Sequence, residues 1–304
     1  MAEAAPLVEC DAPEGGRACW IDTSDGVRIR VAHWPGPRLL LLLPGRTEFI
    51  EKYGLVVRDL AAAGWGALVV DWRGQGRSPR ALADTRLGHV GDFAEYQRDL
   101  DAVLAFAADL APGPLPWLAH SMGGCIALRG LMRGLPCQAA ALCAPMLGLV
   151  QSPLQIRALS AVAALARPFG ADTGYAPTTD ADYGLPKMPF AGNNLTRDAG
   201  QYDRMRTQII AEPAISLGGP SLRWMGAAIA EMSALRKLPS PAVPALLGVG
   251  EADGIVSAAM VRERAARWPG ADLAEYPEAQ HELMMELPDV RDDFLRRVVA
   301  LFNR

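Results

Sequence analysis

The 304-residue sequence has no long apolar run: its longest unbroken run of leucine is Leu39 to Leu43. A membrane-spanning helix needs roughly 20 apolar residues, so nothing here reads as a span. The stretch Met1 to Asp11 is acidic and lacks the basic and apolar regions of a secretory signal. The expected location is therefore the cytoplasm, with peripheral contact at the inner membrane face left open. No charge of either sign dominates, since 30 Lys and Arg face 34 Asp and Glu for a net charge of −4. Nucleic-acid binding, which draws its affinity from clustered positive charge, is excluded as the main role. Cysteine is scarce and odd in number: Cys10, Cys19, Cys125, Cys137 and Cys143 form no Cys-x-x-Cys pair and no zinc spacing. Reduced, mostly buried thiols are expected. Repeats and low-complexity tracts are absent.

Half of the residues are hydrophobic and 21% are charged, which fits a globular chain with a sizeable core. The length suits about two average domains, or one large α/β domain with an insertion. Trp20 to Trp34 alternates around Ser24-Asp25-Gly26 and predicts a hairpin closed by an Asp-Gly turn. Leu39 to Leu43, Ala67 to Val70, Leu115 to Ala119 and Ala139 to Cys143 are short apolar runs without alternation, and Val243 to Val249 and Leu273 to Tyr276 read as two later strands. Such runs predict strands buried on both faces of a mostly parallel sheet. Phe93, Tyr96, Leu100, Val103, Leu104 and Ala107 repeat at helical spacing after Asp92, and Val290, Phe294, Val298 and Leu301 mark a terminal helix. Strands alternating with helices imply βαβ units.

The middle of the chain differs. From Met146 to Leu238 no strand run is seen, and Pro186-Lys187-Met188-Pro189 and Gly218-Gly219-Pro220 separate helical segments. One segment carries Leu159, Val162, Ala163 and Ala166; another carries Leu222, Met225, Ile229, Met232 and Leu235, and both stripes read as core packing. The expected organisation is a core in two parts, 1–145 and 240–304, with a helical cap at 146–239. That cap has a net charge of +2 against −6 for the remainder. A basic, apolar cap suits a single-chain lipid with an anionic head.

The sharpest motif is Leu118-Ala119-His120-Ser121-Met122-Gly123-Gly124, between an apolar strand and a helix-forming stretch. Small residues two before and two after a serine are what a sharp strand-to-helix turn needs, and the turn holds the hydroxyl exposed at the sheet's carboxyl edge. A serine hydroxyl needs a base to become nucleophilic. Of the four histidines, His33 lies in the hairpin, His89 precedes a helix, and His120 adjoins the serine, where neighbouring side chains diverge. His281, on the loop after the last strand, remains. A carboxylate must orient the imidazole, and Asp253 in Gly250-Glu251-Ala252-Asp253-Gly254 is the first choice, with Glu251 as fallback. An oxyanion needs preplaced donors. The backbone N–H groups of Met122 and of Arg46, in Pro44-Gly45-Arg46-Thr47, are the candidates, and the Arg46 side chain could also meet a phosphate or carboxylate.

Asp71-Trp72-Arg73-Gly74-Gln75-Gly76-Arg77-Ser78, with Pro44-Gly45-Arg46 before it and His120 to Gly124 after it, resembles the lysophospholipase and monoacylglycerol lipase branch of the α/β-hydrolase superfamily. Asn194 to Asp198 and Gly218-Gly219-Pro220-Ser221 resemble the cap of bacterial lysophospholipases in that branch. The resemblance implies an α/β-hydrolase fold and a serine acyl-ester hydrolase acting on a lipid or small ester, without cofactor, metal or obligate protein partner. Ala119 stands where the branch carries glycine, and Pro44 where many members carry histidine. Dehalogenases and epoxide hydrolases of this fold place aspartate at the position of Ser121. A small-molecule carboxylesterase, a peptidase and a silent hydrolase-fold binding protein are the remaining alternatives.

Overall fold

The protein is described from a computed structural model that covers every residue except Met1, Glu9 and Pro186. Pro186 of the proline-rich joint and two residues of the acidic start thus lie outside the described residues. At the beginning, β1 (Ala4–Ala5), β2 (Arg17–Asp22) and β3 (Arg28–Trp34) pair antiparallel. The Asp25-Gly26 turn closes the β2–β3 hairpin, with Gly26 at φ +79°.

The parallel part follows as β4 (Arg38–Leu43), α1 (Gly54–Ala62), β5 (Trp65–Asp71), α2 (Ala94–Leu110), β6 (Trp117–His120), α3 (Met122–Met132) and β7 (Ala140–Cys143). The expected strand Leu115 to Ala119 starts later, at Trp117, because Pro116 has no N–H to give to a ladder. Asp92 lies one residue before Phe93, the N-cap of α2, and its Oδ1 accepts from Ala94 N–H at 2.9 Å.

The segment after β7 forms α4 (Pro153–Ala166), α5 (Ala199–Ala211) and α6 (Leu222–Lys237), with short 3₁₀ turns and, among the described residues, no strand. Ser152, Asp198 and Ser221 cap these helices through side-chain oxygens. The chain closes with β8 (Ala245–Gly250), α7 (Ala258–Ala266), β9 (Ala271–Tyr276) and α8 (Pro288–Phe302). Strand order is β1-β2-β3-β5-β4-β6-β7-β8-β9, parallel from β5 onward.

The unbroken leucines of β4 are explained by burial on both faces. Leu39, Leu41 and Leu43 pack with Leu100 and Val103 of α2 and Leu128 of α3, whereas Leu40 and Leu42 pack with Val56 of α1 and Phe294 and Val298 of α8. Burying each such side chain contributes about 1.5–3 kcal/mol relative to exposure. The chain leaves β4 toward β5 on one side and later returns to β6 on the other, so a crevice opens at the carboxyl ends of β4 and β6.

Two packing expectations come out differently. The α6 stripe is buried except at Met225, but the α4 stripe is not core: only Ala163 is buried, and Val162 is 47% exposed. Leu154, Leu165 and Phe169 beside it are 76%, 73% and 85% exposed. Helix α4 packs on α6 through Ala163, opposite Gly226, with Ile156 and Leu159 partly buried against the core, whereas Leu154, Val162 and Leu165 face outward. Among the described residues the five cysteines form no disulfide, and only Cys125 and Cys143 are buried while the other three are partly exposed.

Candidate active site

Ser121 sits between β6 and α3 with φ 48° and ψ −114°, a strained backbone for a residue with a side chain. The turn is held by Ser121 N–H donating to Cys143 O at 3.0 Å and by Ser121 O accepting from Met146 N–H at 2.9 Å. Gly123 is obligatory here: a Cβ on it would lie 2.1 Å from Leu43 O and 2.5 Å from Pro44 O. Helix α3 therefore starts directly against the end of β4. Its first N–H groups, with Met122 leading, lack partners inside the helix and are free to meet an anion.

His281 and Asp253 reach the same spot from loops after β9 and β8. His281 Nε2 lies 2.9 Å from Ser121 Oγ, and His281 Nδ1 lies 2.7 Å from Asp253 Oδ2. An ionised carboxylate only accepts, so the proton sits on Nδ1 and Nε2 offers its lone pair to the serine hydroxyl. Asp253 Oδ1 accepts from Ile255 and Val256 N–H at 2.7 and 3.0 Å, which fixes the carboxylate. Burial pulls the His281 ring down, but the charge and hydrogen bond of Asp253 more than offset it and raise its pKa above 6.5. Burial pushes Asp253 up, and His281 together with the two N–H donors takes it below the ordinary value. The fallback residue, Glu251, points elsewhere: it is exposed and pairs with Arg262 at 2.5 Å.

Arg46 lies on the loop after β4. Thr47 beside it has φ 66°, and the loop is braced from behind. Trp72 Nε1 donates to Pro44 O at 2.9 Å, Gln75 Nε2 to Gly45 O at 2.7 Å, and Gly45 N–H to Glu48 Oε2. Trp72 and Gln75 belong to the Asp71 to Ser78 segment, whose charges pair with residues from other parts of the chain: Asp71 accepts from Arg30 Nε at 2.8 Å and Arg73 Nε donates to Asp99 at 2.8 Å.

The sequence did not reveal a buried charge cluster behind the histidine. Lys52 Nζ lies 2.5 Å from Glu48 Oε1 and 2.6 Å from Glu282 Oε1, and Tyr53 donates to Glu48 Oε2. His120 Nδ1 contacts Cys143 O at 3.2 Å, and its ring lies 4.7 Å from that of His281 between centroids. Ligand atoms of Glu48, His120 and Glu282 lie within 4.8 Å of one another, a spacing a metal ion could bridge, but the Lys52 ammonium already supplies the cation between the two glutamates. Through Glu48 the cluster holds the Arg46 loop, and through Glu282 it holds the His281 loop. The one available signal was the pair Glu48 and Lys52 at i, i+4, which normally reads as a solvated helix face. His89, read as a loop or capping residue, contacts Ser221 Oγ at 2.9 Å, the residue that caps α6.

The sequence pattern of the family described as serine aminopeptidase, S33, matches residues 37–288. The chain belongs to this family. Within 299 residues it is 37% identical to Lysophospholipase L2 of Escherichia coli (strain K12), covering 91% of this chain and 83% of that protein. It is 28% identical over 270 residues to Probable lysophospholipase L2 of Haemophilus influenzae, covering 88% of this chain and 84% of the relative. Among solved structures, a soluble variant of monoglyceride lipase from Saccharomyces cerevisiae superposes with a TM-score of 0.74 at 19% identity, over 93% of this chain and 94% of that one. The monoacylglycerol lipase of Paleococcus ferrophilus gives 0.71 at 22% identity, over 90% and 98%. The fold is that of the α/β-hydrolases, and this member of the serine aminopeptidase S33 family is an ester hydrolase. Among the described residues no helix is long and apolar enough to cross a membrane.

Proposed function

We propose that the protein cleaves the ester of a single-acyl-chain lipid, in the manner of a lysophospholipase or monoacylglycerol lipase, through Ser121, His281 and Asp253. The observation that carries this reading is the relay of 2.7 and 2.9 Å from Asp253 through His281 to Ser121. As Ser121 Oγ attacks the ester carbonyl, its proton passes to His281 Nε2, and Asp253 stabilises the resulting imidazolium. The N–H groups of Met122 and Arg46 receive the negative oxygen of the tetrahedral intermediate; one such donor is worth about 10²–10³ in turnover. Collapse expels the glycerol oxygen, which takes the proton from His281 and leaves an acyl-serine. Water, deprotonated by the same ring, then releases the fatty acid.

The lipid assignment draws on the relatives named lysophospholipase and on the helical insertion, read as a cap over the site. Its α4 exposes Leu154, Val162 and Leu165, with Phe169 just beyond, and no acidic residue occurs between Met146 and Asp172, whereas Arg157 and Arg167 do. An apolar face flanked by cations suits peripheral contact with an anionic lipid surface.

The test is a chain-length series of monoacylglycerols and lysophospholipids assayed beside p-nitrophenyl esters and aminoacyl p-nitroanilides. Turnover is expected to peak on long monoacyl lipids and to vanish in Ser121→Ala. Faster turnover of the anilides would make the protein a peptidase, and preference for short esters a small-molecule carboxylesterase.

A further inference from the structure

The guanidinium of Arg46, on the loop after β4, is paired with no carboxylate among the described residues. Only Nη2 is hydrogen-bonded, to Gly218 O at 2.7 Å, and Nε is buried with no partner. The remaining donors of the five-donor fork are unused among the described residues. The group stacks over Trp224 of α6, 5.2 Å from the ring centroid. Burial draws its pKa down to about 10, against weak support from the phenols of Tyr96 and Tyr183. Other arginines are handled differently: buried Arg30 meets Glu51 and Asp71, buried Arg73 meets Asp25 and Asp99, and half-buried Arg80 gives hydrogen bonds to four backbone carbonyls. A single carbonyl and an aromatic face do not replace the hydration of a guanidinium, which is costly to bury without an anion.

Its place in the chain decides which anion. Arg46 offers its backbone N–H to the reacting carbonyl in the reading above, so its side chain begins at the scissile ester. It runs to the seam where the helical insertion meets the core, where Gly88 N–H donates to Gly219 O and Ser221 N–H to Gly88 O. Gly88 leaves the room for it: a Cβ there would lie 2.4 Å from Arg46 Nη2. In a lysophospholipid the phosphate is joined to the ester by the glycerol carbons, a span comparable to the arginine side chain. A guanidinium fork matches two phosphate oxygens.

Resting on the proposed reading of the site, we infer that Arg46 binds the headgroup phosphodiester of the substrate, so that the preferred lipid is a lysophospholipid and not a neutral monoacylglycerol.

The test compares kcat/KM for 1-oleoyl-lysophosphatidylethanolamine with that for 1-oleoylglycerol in mixed micelles, for wild type, Arg46→Met, Arg46→Lys and Gly88→Ala. Gly88→Ala displaces the guanidinium while leaving the Arg46 backbone alone, and it serves if Arg46→Met does not fold. The ratio of the two constants is expected to fall about tenfold or more in Arg46→Met and Gly88→Ala, mainly through KM, and to be partly kept in Arg46→Lys; tenfold corresponds to about 1.4 kcal/mol. Both substrates falling together at an unchanged ratio would overturn the inference, as would a wild type that turns over only the monoacylglycerol. A wild type inactive on both lipids would instead sink the earlier reading. Millimolar inorganic phosphate is expected to leave the ratio unchanged; inhibition that disappears in Arg46→Met would mean a free-anion site and overturn the headgroup assignment.

Discussion

Lys52 Nζ lies 2.6 Å from Glu282 Oε1, and Glu282 is the residue that follows His281. The ammonium is buried, and the glutamates on either side of it carry the Arg46 loop and the His281 loop. Lys52→Met leaves two buried carboxylates facing each other, and breaking a buried pair costs about 3–5 kcal/mol. Denaturant unfolding is expected to show a loss of that size. Adding Glu282→Gln to Lys52→Met should cost less than the sum of the two single changes, because the second substitution removes one of the unpaired charges. Additive losses would mean that the two residues act independently.

Asp253 and Glu251 separate the orienting role. Asp253→Asn would turn the imidazole to the wrong tautomer, a change that costs on the order of 10⁴ in kcat where such a triad operates. Glu251→Gln, at an exposed residue paired only with Arg262, should change kcat on a p-nitrophenyl ester by less than a few fold. The opposite ranking would return the role to Glu251.

The pH profile follows from the direction of the His281 shift. The ring must be neutral to take the serine proton, and Asp253 holds its pKa above 6.5. On a soluble ester, kcat/KM should therefore rise with pH through a midpoint above 6.5. In Asp253→Asn the strongest upward influence on the ring is gone, and burial, which favours the neutral form, is opposed only by the charges of Glu282 and Glu48, so the midpoint of the residual activity should move to lower pH.

Gly123→Ala tests the close approach of α3 to the end of β4. The added methyl would collide with the carbonyls of Leu43 and Pro44, which are backbone and cannot swing aside. Overpacking of this kind costs about 1–3 kcal/mol. Thermal unfolding should show the loss, and it should exceed that of Gly134→Ala, where φ +80° strains a side chain but nothing lies within 4 Å.

The sheet was legible because apolar runs such as Leu39 to Leu43 leave little choice but burial on both faces. The positions of Ser121, His281 and Asp253 were legible because each follows a strand end that topology brings to one edge. Helix α4 was misread because periodicity reports an apolar face without saying what covers it. The cluster of Lys52, Glu48 and Glu282 was invisible for a related reason: Glu282 is 230 residues from Lys52 in the chain, and local spacing marks charges as solvated. Of the two departures from the family pattern, Pro44 uses its carbonyl to hold Trp72, and Ala119 is fully buried in β6.

Ser121 is the group expected to become acylated. Incubation with a fluorophosphonate followed by peptide mapping by mass spectrometry tests this directly. One adduct per chain on the peptide containing Ser121, absent in Ser121→Ala and slowed strongly in His281→Ala, is the expected result; folded wild-type protein that takes no label, or takes it on another residue, would contradict it.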